Sequence, residues 1–313
     1  MKNIVFTFLI LLNFSSCTRS YKPIEEIANV KKPLMLIVEH EISGIYFNQK
    51  INRPYSMAID NNGNIYIVDA GNNRLLKLDS LYRQIAEIGG QGHQAGLMDL
   101  PQFISIDNNL NLIVSEEGNR RLSRFDSKLN FIGKIDFFDF DDELEYGFPS
   151  GVATSEYGEI WAADKEKNKL VIYDSFGVFK QTVGDFGYSG GQLYSPEEII
   201  RYKNNYFVCD GGNKRIIVYD EYGDYLYKFK QPSMQYPIGA AINDNVLWVV
   251  DVVTNSIFLY SLKGNLINKF DSDIVGTEVP LKEPTDIFVG KYGKVFICDS
   301  GNDRILVCEI LTE

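Results

Sequence analysis

The chain has 313 residues, 45% of them hydrophobic and 23% charged, with a formal net charge of −11. That length and apolar content suffice for a large buried core and argue against a disordered chain. The acid excess repels phosphate backbones and no run of Lys and Arg offsets it, so no nucleic-acid partner is expected; cationic ligands, metal ions and basic partners are electrostatically easier.

The chain opens on Met1-Lys2-Asn3, a short basic stretch, followed by a run from Ile4 to Leu12 that is apolar apart from Thr7. This run is too short to span a bilayer and suits the core of a signal peptide. Phe14-Ser15-Ser16-Cys17 follows. These residues resemble the lipobox of bacterial lipoproteins, with Phe14 where Leu is usual and Ser16 where Gly or Ala is frequent. The resemblance implies cleavage before Cys17, lipidation of that cysteine, and attachment to a membrane through the N-terminal lipid. Residues 1–17 are then a lipoprotein signal, and 18–33 a tether. A composition rich in Asn, Ile, Lys and Tyr resembles Bacteroidetes lipoproteins, which implies the cell envelope and anchoring at the outer membrane. Surface export in that group goes with an acidic stretch after the cysteine. Thr18-Arg19-Ser20 lacks one, which leans towards the periplasmic face and leaves the leaflet open.

The segment Leu36 to Ile42 reads as a strand. From about residue 50 onward the chain repeats itself, and such periodicity governs the fold. Each unit begins at a proline: Pro54, Pro101, Pro149, Pro196, Pro237 and Pro284, 41 to 48 residues apart. Fourteen or fifteen residues later stands an acid: Asp69, Glu116, Asp164, Asp210, Asp251 or Asp299. Five further on stands Arg74, Arg121, Lys169, Arg215, Ser256 or Arg304. Within a unit, an apolar run follows the proline (strand a). A turn such as Asn61-Asn62-Gly63-Asn64 leads to a β-branched and aromatic run ending in the acid, such as Ile65 to Asp69 (strand b). A tight turn then gives strand c, and a second turn gives strand d. Four antiparallel strands per repeat of this length make the blade of a β-propeller. The fold expected is all-β: a six-bladed propeller over residues 34–313.

The strings DAGNNR (69–74), DGGNKR (210–215) and DSGNDR (299–304) resemble the NHL repeat family, and the resemblance covers nearly the whole chain after residue 33. DVVTNS in the fifth repeat and DKEKNK in the third depart from the pattern, so altered turns are expected there. The acid and the basic residue flank a hairpin and are expected to cap turn amides and pair with each other. The sixth repeat ends near Ile310 without a strand d. An open edge invites unwanted pairing, so the Leu36 to Ile42 strand is expected to complete the last blade.

Cys209 and Cys298 occupy one register in different blades and are expected to be separate, buried thiols. His40 and His93 are the only histidines, and no zinc-type cluster is present. An amidating-lyase-like propeller would need a histidine set; neither that nor a serine-hydrolase elbow is found. Trp161 and Trp248 lie in strand b registers and read as core.

Long d–a loops, Gly89 to Leu100, Phe137 to Phe148, Gly184 to Ser195 and Asp271 to Glu283, share one face and make it the expected binding face. One candidate is the acidic and aromatic run carrying Phe138, Phe140, Asp141, Asp142, Glu143 and Tyr146, suited to a cationic peptide or to sugar stacking. A second is the loop with Phe186 and Tyr188, whose glycines resemble the family's inter-blade turn. A third is Glu198 with Asp286, each two residues after its blade proline, where the family often has glycine. Carboxylates at a propeller axis can hold Ca²⁺, as in lactonase-like propellers, but only two of the six registers carry an acid, so no cofactor is the main expectation and Ca²⁺ the lesser one. The residues favour a non-enzymatic binding or scaffold protein for a protein, peptide or glycan. The alternatives are an extracytoplasmic metal-dependent hydrolase or lyase with its site at the axis, and a sensor or assembly component of an envelope complex.

Overall fold

The structure, a computed structural model, describes residues 33–137, 147–290 and 293–312. Among them six four-stranded antiparallel sheets form, one per repeat, with a small hairpin of Ile45–Tyr46 and Gln49–Lys50 beside the first. Blade one runs Pro54–Ile59 (a), Ile65–Asp69 (b), Arg74–Leu78 (c) and Gln84–Gly89 (d). Blade four is Pro196–Tyr202, Asn205–Asp210, Arg215–Asp220 and Tyr225–Phe229. Consecutive strands a lie side by side and the sixth meets the first, so the ring is closed around an axis. This is the expected all-β, six-bladed propeller.

Burial explains the two hydrophobic patterns of a repeat. Strands b such as Ile65–Asp69 and Val246–Asp251 are buried at every position, because a neighbouring blade covers each face. Strands d such as Gln84–Gly89 lie at the rim, and their side chains are largely solvated. The core therefore lies between blades. Trp161 of blade three stacks on Tyr206 of blade four with ring centroids 3.8 Å apart, both buried. Trp248 is likewise core. Cys209 and Cys298 are free and buried in strands b of blades four and six, and burial raises both thiols well above their ordinary range.

Strand d of the last blade is Pro33–Ile42, paired antiparallel with Arg304–Thr312 in a register that sets Leu36 opposite Ile310 and Ile42 opposite Ile305. The N-terminal strand thus closes the ring, as its sequence position suggested. Ile42, Met57 and Ile67 pack with Cys298, Ile305 and Val307 across the junction of first and last blades.

The DxGNxR string is a clamp between strands b and c and the loop before strand a. In blade one the Asp69 carboxylate accepts the Asn52 amide at 2.7 Å and the Arg74 Nε at 2.6 Å. Asn72 bridges Asp69 to the Lys50 carbonyl, and the Arg74 guanidinium donates to the carbonyls of Tyr46 and Gln49. A Cβ on Gly71 would stand 2.5 Å from Asn52, so the glycine permits close approach of that loop. The Ala70–Asn72 turn is 3₁₀, as are Gly211–Asn213 and Ser300–Asn302. DKEKNK, DVVTNS and the second blade's EEGNRR form plain turns.

Every strand a breaks its ladder just after the proline, with a register shift between Pro196 and Ile199 in blade four and between Pro284 and Asp286 in blade six. Bulges redirect side chains, and here they do so where the strands face the axis.

Candidate functional site

Three groups of residues meet the description of a site. The first is axial. Glu198 and Asp286 belong to blades four and six, separated by strand a of blade five. Gly239 in that strand has room for no side chain: a Cβ would lie 2.3 Å from the Thr285 carbonyl oxygen. This close approach brings the two carboxyls near enough for each to act on the other's charge. Asp286 also accepts the Ser56 hydroxyl at 2.7 Å, the Met57 amide at 3.0 Å and its neighbour Ile287's amide at 2.6 Å. Glu198 accepts the Ala240 amide. Burial drives both acids up, Asp286 to about 7 and Glu198 well above its ordinary range, where the charge on Asp286 adds to the effect.

The oxygens of Asp286 and Glu198 accept N–H and O–H donors, and two carboxylates fall short of the six or more oxygens that Ca²⁺ requires. Among the described residues no three His, Cys, Asp or Glu side chains gather as a metal site. The pair lines the inner end of a cavity of about 360 Å³, walled by the aliphatic later halves of strands a, from Met57 and Ile104 to Ile242 and Val289. The acids therefore lie inside the channel, on the side of the a–b turns, and away from the long loops.

A second group surrounds the channel mouth on the loop face. Glu197, 2% exposed, accepts the Ser150 hydroxyl at 2.6 Å and the Tyr236 hydroxyl at 2.8 Å. Tyr236 in turn lies 2.8 Å from the Ser195 hydroxyl. Lys165 sits 3.1 Å from Glu117 and 4.0 Å from Glu197, and these two carboxylates raise its ammonium despite partial burial. Nothing in the sequence singled these residues out, because they are gathered from blades two, three and four and from the loop that enters blade five.

The third group is aromatic. Phe186, Tyr188 and Tyr194 are 54%, 66% and 41% exposed, and their ring centroids lie 5.5 to 6.3 Å apart, edge to face. The loop bearing them is braced. Arg215 donates to the carbonyls of Tyr188, Ser189 and Gln192, Asn213 donates to the Gly187 carbonyl, and a bridge joins Phe186 to Leu193. The loop between blades one and two has the same frame. Arg121 donates to the carbonyls of His93 and Leu97, Asn119 to the Gly92 carbonyl, and a bridge joins Gln91 to Met98. Counted back from their prolines, Gln91, His93 and Asp99 stand where Phe186, Tyr188 and Tyr194 stand. The fold of this loop thus does not require the three aromatics. Tyr194 was absent from the sequence expectation; alignment of the two loops on Pro101 and Pro196 would have found it.

The remaining candidates, Cys17 and Phe138, Phe140, Asp141, Asp142, Glu143 and Tyr146, lie outside the described residues. His40 stacks on Tyr82 at the junction of blades six and one, and His93 contacts Asn119; neither reaches the axis.

No family model matches the chain. Over 132 residues, 41% of the chain, it is 28% identical to the Protein brain tumor of Drosophila melanogaster. Over 132 residues it is also 30% identical to the B-box type zinc finger protein ncl-1 of Caenorhabditis elegans. The chain has NHL-type relatives. These matches span only 13% and 16% of the two proteins' lengths. Among solved structures, a streptogramin B lyase superposes with a TM-score of 0.65 at 16% identity, covering 87% of this chain and 97% of that one. A chain of the nidogen/laminin complex gives 0.59 at 14% identity, covering 75% and 92%. At such identities the likeness is one of fold.

Proposed function

We propose that this protein is a lipid-anchored binding or scaffold component of a bacterial cell envelope, recognising a protein, peptide or glycan through the loop-bearing face of its propeller. The observation that carries this reading is the pair of isostructural loops. One frame holds Gln91, His93 and Asp99; the other presents Phe186, Tyr188 and Tyr194 to solvent. Exposed aromatics on a braced support are the usual anchors of an interface. The propeller fold also serves in the nidogen/laminin complex, which supports a binding role by analogy.

The lyase neighbours favour an enzyme by fold alone. One of them is described as a catalytically inactive histidine-to-alanine variant of virginiamycin B lyase. In the present chain the two histidines are remote from the axis, and the axial acids accept backbone amides.

The test is capture of envelope proteins and glycans by the full chain, compared with the triple variant Phe186→Gln, Tyr188→His, Tyr194→Asp. The second loop already accommodates those residues, so folding should persist. Loss of specific capture supports the reading; unchanged capture refutes it. Membrane attachment is tested by fractionation of Cys17→Ser, which should leave the protein unanchored.

A further inference from the structure

The surroundings of the aromatic loop have a charge that the rest of the chain does not. The loop 184–195, the b–c turns 165–169 and 211–214, and the strand end 228–230 together carry six lysines and only two acids, Glu166 and Asp185, in a chain whose net charge is −11. These segments touch. Lys228 Nζ donates to the Tyr188 carbonyl at 3.1 Å, and Asn168, within the lysine-rich turn, accepts the Ser195 amide at 2.8 Å. Lys214 donates to the Gln235 side chain at 2.8 Å, and Lys214, Lys228 and Lys230 are all exposed. Lys165 is committed to Glu117 and Glu197, and Lys214, Lys228 and Lys230 supply the cationic rim. Partial burial, and then the neighbouring Arg215, lower the Lys228 ammonium, consistent with crowding of positive charge. The isostructural loop has no such rim: over the corresponding segments, 89–100, 70–74, 117–120 and 134–136, three basic residues, Arg74, Arg120 and Lys134, are balanced by three acids, Asp99, Glu117 and Asp136.

Resting on the reading of this face as a recognition surface, we infer that the 184–195 loop receives an acidic peptide segment of a partner protein. Apolar or aromatic side chains of the segment lie on Phe186, Tyr188 and Tyr194, and its carboxylates pair with Lys214, Lys228 and Lys230. Two observations favour a peptide over the other polyanions or over a glycan. The rings meet edge to face, at interplanar angles of 70°, 88° and 72°, and so do not offer parallel faces on which bases or sugars stack in series. The positive sector is also local, and a continuous polyphosphate would run onto an acidic molecule.

The experiment is fluorescence anisotropy of the purified full chain with a labelled peptide alternating Asp or Glu with Phe and Leu. The comparison probes are the same peptide with Asn and Gln for the acids, and a single-stranded thymidine oligonucleotide. The acidic peptide should bind about tenfold or more tighter than its amide counterpart and weaken with salt. Lys214→Glu with Lys228→Glu should lower its affinity by about tenfold or more, and the triple aromatic variant should abolish binding. Equal binding of the amide peptide, tighter binding of the oligonucleotide, or no binding of the acidic peptide overturns the inference. In any of those cases, envelope capture that still depends on the three aromatics would preserve the recognition surface itself; capture indifferent to them would remove both.

Discussion

Glu198 and Asp286 meet across strand a of blade five, and through Ala240, Ser56 and Met57 they tie together blades four, five, six and one. The link includes the junction where the ring closes.

Its strength depends on a proton. Both acids are raised above their unfolded values, so the pair favours the fold fully below about pH 4, the ordinary carboxylate range. That contribution is lost as pH rises through about 7, the value to which burial brings Asp286, and continues to fall as Glu198 ionises. Denaturant titrations from pH 5 to 8 should show stability declining by an amount on the order of a few kcal/mol. Glu198→Gln keeps a donor towards Asp286 and an acceptor for the Ala240 amide, and should flatten the profile. A wild-type profile already flat would show that the fold does not raise the two acids.

Arg215 is buried between Asp210 and three loop carbonyls. Arg215→Met strands a buried carboxylate and uncaps the loop, and should cost about 3–5 kcal/mol. Hydrogen exchange should quicken at the amides of Gly187 and Leu193, which bond within the loop. Protection unchanged at those two sites would mean that the guanidinium does not brace the aromatics.

Gly239→Ala places a methyl group 2.3 Å from a backbone oxygen of the next blade, whereas Gly133→Ala meets nothing within 4 Å. The first should destabilise by about 1–3 kcal/mol or more, and the second should stay within about 0.5 kcal/mol of wild type. Thermal melts of the two variants side by side decide the matter, since comparable losses would deny the close approach at the axis.

Leu36 is 1% exposed in the strand that completes the last blade. Leu36→Asp buries an unpaired charge at the closure and should cost several kcal/mol, opening the ring. Limited proteolysis should then release the 33–42 segment before any other cut. A variant as resistant as wild type would mean that this strand is dispensable to closure.

The repeat by itself determined the architecture of this protein. Proline and acid recur in register because every blade makes the same bulge and the same amide cap, and in four blades an arginine adds the clamp on the d–a loop. A strand d missing from the last repeat and a spare strand near residue 36 also implied the closure. These are local requirements, repeated until they are legible. The candidate sites are of another kind. Glu198 and Asp286 stood out as acids at an unusual register, but that they act on each other follows from Gly239 lying between them. The Lys165, Glu117, Glu197 and Tyr236 network draws on separate blades and has no sequence signature. Tyr194 and the lysines around it become one surface only when turns from blades three and four are folded against the same loop. Propeller closure brings residues many tens of positions apart to one face, and only that spatial neighbourhood decides whether a charge is paired, a ring exposed or a proton held.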